Sequence, residues 1–138
     1  MDDVLDPGRV IHGRFGQVLV DGVKQTNLQE CTAEVEADMK DLNLLGSDWT
    51  QYKSGTLKGS GTMKGYKVTS DMIKRGFKRF EIITKLDDPE AYGYESIRLK
   101  NCMATKLSLV NLKANDLVDE ETPFNFVGYE LLDAIEAN

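Results

Sequence analysis

Apolar and polar side chains alternate along much of this chain, with the period of two expected of strands that bury one face. From Glu30 to Lys40 the alternation is unbroken. Cys31, Ala33, Val35, Ala37 and Met39 interleave with Glu30, Thr32, Glu34, Glu36, Asp38 and Lys40. One face is apolar and the other charged, which predicts a long strand between a core and water. Thr56 to Lys64 alternates again. Leu57, Gly59, Gly61 and Met63 face one way, and Thr56, Lys58, Ser60, Thr62 and Lys64 face the other. Glycines on the apolar side predict close approach of another backbone, or strong curvature.

Shorter signals surround this pair. Gln17–Asp21 reads as a strand, and Asp21-Gly22 as a hairpin turn that needs positive φ. Thr69 or Ser70 can cap a helix, with Asp71 in its first turn. Met72, Ile73, Gly76, Phe77 and Phe80 recur at helical spacing, which predicts a short amphipathic helix ending near Arg79. Phe80–Leu86 returns to strand period, DDPEAYGY reads as a turn, and Ile97 and Leu99 alternate with Arg98 and Lys100. Lys106–Leu112 predicts a strand of mixed faces. Phe124 and Phe126 alternate with Asn125 and Val127, and Tyr129–Asn138 predicts a last strand with a short helical turn. The implied class is mainly β (α+β). Two packed antiparallel sheets form a barrel-like sandwich with one short flanking helix.

The segment Asp41–Gly55 breaks the pattern. It has no clean period, Gly46 and Ser47 lie at its middle, and it carries Leu42, Leu44, Leu45, Trp49 and Tyr52. A long loop this apolar is expected to touch a partner. Those five residues are the candidate inter-subunit contacts. The alternative is that Trp49 folds back onto its own core.

Composition narrows the function. The 138 residues are 41% hydrophobic and 29% charged, as expected of a single domain over residues 1–138 that includes an N-terminal arm over residues 1–12. No apolar run is long enough for a membrane span, and the opening MDDVLDPGRVIHG lacks the apolar stretch of a secretion signal. The net charge of −6 is opposite to that of a nucleic-acid-gripping surface. Lys74, Arg75, Lys78 and Arg79 form a basic cluster, read as a solvated helix face.

Candidate chemistry is sparse. His12 is the only histidine, and Cys31 and Cys102 are the only cysteines. No G-x-S-x-G, H-E-x-x-H or C-x-x-C pattern occurs, so no catalytic residue, metal site or cofactor is expected. Gly59–Gly65 faintly suggests a phosphate loop, but its spacing fits neither nucleotide motif and its alternation says strand. The carboxylates Glu34, Glu36 and Asp38 lie on one strand face, as simple alternation dictates.

The order of these segments resembles a known family. A DG hairpin precedes a long acidic-faced strand. The segments YKSG, GSGTMKGYKVTS and DDPEAYGYESIRLKNC follow, and EETPFNFVGYELLD ends the chain. Together they resemble the tail tube proteins of contractile phage tails, especially those of PBSX-like prophages and R-type bacteriocins. The resemblance covers roughly residues 13–133 and implies a tail-tube fold without enzymatic activity. It implies hexameric rings whose inner sheets join as one barrel and stack into a hollow conduit. That conduit would serve DNA passage or membrane penetration by a bacteriocin. Implied partners are further copies of the chain, the sheath, the tape measure protein and baseplate proteins, with DNA passing unbound in a phage. Assembly would occur in the host bacterial cytoplasm, before incorporation into a virion tail or bacteriocin particle. On this reading the polar face made by Glu30, Thr32, Glu34, Glu36, Asp38, Thr56, Lys58, Ser60, Thr62 and Lys64 lines the lumen. Its acidic residues would let phosphates slide past. A monomeric small-ligand-binding β-barrel and a small carboxylate enzyme are the alternatives.

Overall fold

The computed structural model describes residues 5–136, so residues 1–4 of the expected N-terminal arm lie outside the described part. Eight strands and one short helix follow one another: β1 (Gly16–Val20), β2 (Val23–Lys24), β3 (Leu28–Leu42), β4 (Gln51–Tyr66), α1 (Asp71–Arg75), β5 (Phe80–Leu86), β6 (Glu95–Ala104), β7 (Asp119–Phe126) and β8 (Tyr129–Asp133). Hydrogen bonding runs β2-β1-β5-β6-β7-β4-β3, with β8 also on β6. All pairings are antiparallel.

The path folds into two layers because β6 changes partner along its length. Its first half pairs with β8, at Leu99↔Tyr129, and its last residues pair with β7, at Ala104↔Phe124. Five residues separate these positions on both sides, so β7 and β8 are one run of chain bent between sheets. The bend lies at Gly128, with φ +108, opposite Lys100, whose neighbour Asn101 has φ +51. The Lys100 N–H donates to the Gly128 carbonyl at 2.9 Å, and the Val127 N–H donates to the Lys100 carbonyl at 2.9 Å, so pairing continues through the corner.

The core lies between the layers. Val20, Phe80, Ile82, Leu99 and Cys102 from one side meet Met63, Phe124 and Phe126 from the other. The glycines of β4 belong to this packing. Gly59 pairs directly with Phe126, and Gly61 with Phe124. A Cβ at Gly59 would lie 2.5 Å from the Phe126 ring, and one at Gly61 would lie 2.6 Å from Phe124 and overlap the Thr32 carbonyl oxygen. The close approach read from the sequence is therefore that of two phenylalanine rings and the β3 backbone. These residues form the interior of a strand, not a phosphate loop.

Several elements follow the sequence pattern and others depart from it. Asp21 and Gly22 form the β1–β2 turn with φ of 51° and 83°. The Asp21 side chain also accepts the Glu81 N–H at 3.0 Å. The helix ends at Arg75 rather than near Arg79, because Gly76 turns to φ +62 and leaves Phe77 exposed. Residues 134–136 carry no helical turn, and residues 137–138 of the expected last segment lie outside the described part. The segment Lys106–Leu112 is not a strand. Pairing with β7 stops at Thr105, whose N–H donates to the Pro123 carbonyl at 2.9 Å. Continued in the same register, Leu107 and Leu109 would stand beside Glu121 and Asp119 on the polar face, which strand alternation disfavours.

The largest departure is in the apolar segment Asp41–Gly55. β3 continues to Leu42 and β4 begins at Gln51, so the loop is only residues 43–50. Lys40↔Lys53, Asp41↔Tyr52 and Leu42↔Gln51 are paired strand positions. Residues that read as loop are the far end of a long hairpin.

Candidate interface of the long hairpin

The hairpin of β3 and β4 extends past the sheet that covers it. Its strands have 15 and 16 residues, against 5 and 7 for β1 and β5 on the facing layer. Near the root, the inward pair Cys31↔Met63 sits over the core, and exposure begins at Ala33. Further out, Val35, Met39 and Leu57 on that same face are exposed. Exposed apolar patches of this kind mark sites of interaction in other proteins.

The opposite face is polar. Glu30↔Lys64, Thr32↔Thr62, Glu34↔Ser60 and Glu36↔Lys58 are directly paired, so the structure brings most of the sequence-derived polar positions together on one face. Opposite charges at Glu30–Lys64 and Glu36–Lys58 stand at cross-strand distance, where such pairs are favourable. Thr56 is the exception. Between Ala37↔Leu57 and Met39↔Ser54 the pairing shifts by one residue, and Thr56 falls inside this bulge. Asp38 lies opposite it and is held by Lys40 at 3.1 Å.

Sequence reasoning missed part of this face. β7 pairs with β4 at Lys64↔Glu121, Thr62↔Pro123 and Ser60↔Asn125, which adds Glu121 and Asn125 to the polar surface. The alternation of Asn125 with Phe124 and Phe126 was the available signal. The bulge likewise brings Lys53 beside Lys40. The face is therefore mixed: acidic residues prevail near the root, and lysines collect toward the tip.

At the tip, residues 43–50 expose Leu44, Leu45 and Trp49, with Tyr52 and Leu42 at the strand ends beside them. Trp49 is 83% exposed, so it does not fold back onto its own core. The Ser47 hydroxyl organises the turn by donating to the Trp49 carbonyl at 3.1 Å and accepting the Trp49 N–H at 3.3 Å.

The groups read as possible chemistry have structural surroundings. His12 caps a short 3-10 turn over Gly13–Phe15, its Nδ1 accepting the Arg14 N–H at 3.1 Å. Asp88 accepts the backbone N–H groups of His12 and Glu90, both at 3.0 Å. These two bonds hold its carboxyl below the usual aspartate range. Burial pushes the Cys31 thiol up and the Cys102 thiol up to about 11. Thiols kept protonated in this way are poor nucleophiles. Among the described residues, no group of three or more His, Cys, Asp or Glu is arranged to hold a metal. A cleft of about 580 Å³ between the layers, walled by Ala33, Val35, Ile97, Leu99 and Phe126, is open to solvent.

Comparison with known proteins settles the family. A family model described as phage tail tube protein matches residues 3–133. The chain belongs to the phage tail tube protein family. It is a structural subunit and not an enzyme, and the ligand-binding barrel reading is not favoured. The phage-like element PBSX protein XkdM of Bacillus subtilis is 28% identical over 131 residues, covering 88% of this chain and 89% of that protein. YqbM of the same organism is 26% identical, covering 92% and 93%. Solved structures share the fold. The SPP1 tail tube gives a TM-score of 0.70 at 10% identity, covering 92% of this chain and 81% of that one. A sheath–tube complex of an extracellular contractile injection system gives 0.69 at 13%, covering 91% and 93%. A gene transfer agent virion gives 0.65 at 15%, covering 90% and 100%.

Proposed function

We propose that this tail tube subunit closes into hexameric rings that stack into a hollow conduit, with the polar face of β3, β4 and β7 turned toward the channel. The observation that carries this reading is the asymmetry of one sheet. Its polar face is exposed across three strands, while its apolar face is covered only at the root and, among the described residues, β3 ends the sheet with an unpaired edge. A ring satisfies all three features at once. Edges pair between neighbours, the polar face meets water in the channel, and the uncovered apolar face meets other copies.

Fold likeness supports the symmetry, since the tail of a gene transfer agent particle was refined with C6 symmetry. Similar chains occur in a sheath–tube complex, at a sheath/tube terminator and in a baseplate. These likenesses support sheath and baseplate components as partners in a virion tail or a bacteriocin-like particle. Assembly would take place in the host cytoplasm. A tape measure protein would occupy the channel during assembly. In a phage, DNA would later pass along a wall whose carboxylates oppose phosphate binding. The hairpin tip, with Leu44, Leu45, Trp49 and Tyr52, carries contacts between copies. Burial there contributes roughly 1.5–3 kcal/mol per large side chain, repeated at every subunit.

Electron microscopy of the purified chain tests this directly. Rings and tubes are expected on concentration. A population that stays as single-chain particles under all assembly conditions contradicts the proposal.

A further inference from the structure

The register shift inside the long hairpin decides which way one lysine points. Leu57 pairs with Ala37. Had the strands continued one for one, Lys53 would stand opposite Asp41, on the face shared by Ala37 and Leu57, as a pair of opposite charge. The extra residue on β4 moves Lys53 to the polar face and sets it directly opposite Lys40. Like charges at that spacing repel, so the shift exchanges a favourable pair for an unfavourable one. Gly55 lies inside the shift, where a Cβ would come within 3.0 Å of the Asp38 carbonyl oxygen and 3.5 Å of the Lys40 side chain. Bulges that re-aim a side chain in this way recur beside functional sites.

We infer that Lys40 and Lys53 form a phosphate-holding belt on the channel wall, which engages the backbone of a nucleic acid once per ring and without regard to sequence. This rests on the tube reading above and adds a ligand to its wall. The charge count along the polar face supports it. Toward the tip, Lys40 and Lys53 stand against Asp38 alone, which holds Lys40 at 3.1 Å. Among the described residues, no carboxylate is in ion-pair contact with exposed Lys53. Asp41 lies on the opposite face, and Asp48 lies in the loop beyond the strands. Midway, Lys58 is matched by Glu36. At the root, Glu30, Glu34, Asp119 and Glu121 outnumber Lys64. The basic and acidic bands are thus separated by the run from Lys53 to Lys64, roughly 35 Å at the usual rise per residue. A polyanion meets attraction at one band and repulsion at the next, so it is held weakly and released. A wall that only repels phosphates has no use for a bulge that turns Lys53 toward the channel.

The test is retention of a short fluorescent DNA duplex by sedimented tubes, followed from low to physiological salt. Wild-type tubes should retain it, with binding that weakens steeply as salt rises. Lys53→Gln tubes should retain at least fivefold less and show a shallower salt dependence, while Lys53→Arg tubes behave as wild type. Lys74→Gln with Lys78→Gln, which removes charge from the other basic cluster, should change nothing. Wild-type tubes that retain no duplex, or Lys53→Gln tubes that retain it fully, overturn the inference and leave the tube reading in place. So does loss confined to the Lys74 and Lys78 variant, which would place the DNA elsewhere on the tube. Poly-glutamate of equal charge held as tightly as the duplex would overturn phosphate as the ligand. Lys53→Gln chains that fold but form no tubes would make Lys53 an assembly residue and overturn the belt. Absence of tubes from the unsubstituted chain would instead overturn the tube reading.

Discussion

The Phe124 ring lies across Gly61, its directly paired neighbour on β4, where the glycine has no room for a Cβ. A methyl group there would also overlap the Thr32 carbonyl, which belongs to the β3 backbone and cannot swing aside. Gly61→Ala is therefore expected to destabilise the subunit by about 2–3 kcal/mol, at the upper end of overpacking costs. Gly13→Ala, with nothing within 4 Å, is the matched control. Thermal or denaturant unfolding of both variants checks the difference. Equal stabilities would mean that Phe124 and β3 do not pack as described.

Asp88 ties the N-terminal arm to the β5–β6 turn through the His12 and Glu90 N–H groups. Its carboxyl is held below the ordinary range by those backbone bonds. The stabilisation is present above the unfolded-state aspartate pKa and is lost as pH falls through the folded value. Asp88→Asn should speed amide exchange at His12 and Glu90 at neutral pH, with protection in β4 unchanged. Acidification of the wild type should have the same local effect. Uniform loss of protection would assign Asp88 a global role instead.

Glu120 points inward from β7, and its Oε2 has no hydrogen-bond partner. Burial raises its pKa above the ordinary glutamate value. For an acid shifted upward, the folded state binds the proton more tightly, so stability falls as pH rises from the unfolded value through the folded one. Glu120→Gln should therefore gain on the wild type above that window, by no more than about 1 kcal/mol because solvent screens a partly exposed group. Melting curves between acidic and neutral pH measure it, and a gain that shrinks as pH rises would reverse the assignment.

Trp49→Ala should leave the thermal transition of the free subunit unchanged, since the side chain is exposed there. Tube yield should drop sharply, because each subunit loses roughly 1.5–3 kcal/mol of contact. A lowered melting temperature with normal tubes would place Trp49 in its own core.

What was legible in the sequence follows from which interactions are local. Phe80–Leu86 alternates over a single buried face, and Asp21-Gly22 needs positive φ, so both could be read directly. The ends of β3 and β4 could not. Where no layer covers the hairpin, neither face is buried, so Leu42 and Tyr52 carry no alternation to mark a strand. Lys106–Leu112 misled in the opposite way, since its β-favouring residues find no compatible register on β7. The polar face was half visible. Alternation revealed Glu34 and Lys58, but the place of Glu121 and Asn125 depends on β7 lying against β4, a pairing between distant parts of the chain.

The most direct measurement is a helical reconstruction of the assembled tube at side-chain resolution. The account predicts Glu30, Glu34, Glu36, Lys58 and Lys64 on the channel wall, with Asn125 and Glu121 beside them and Phe124 and Phe126 turned away into the subunit core. Tubes whose channel is lined by other strands, with Glu34 and Glu36 on the outer wall, would contradict it.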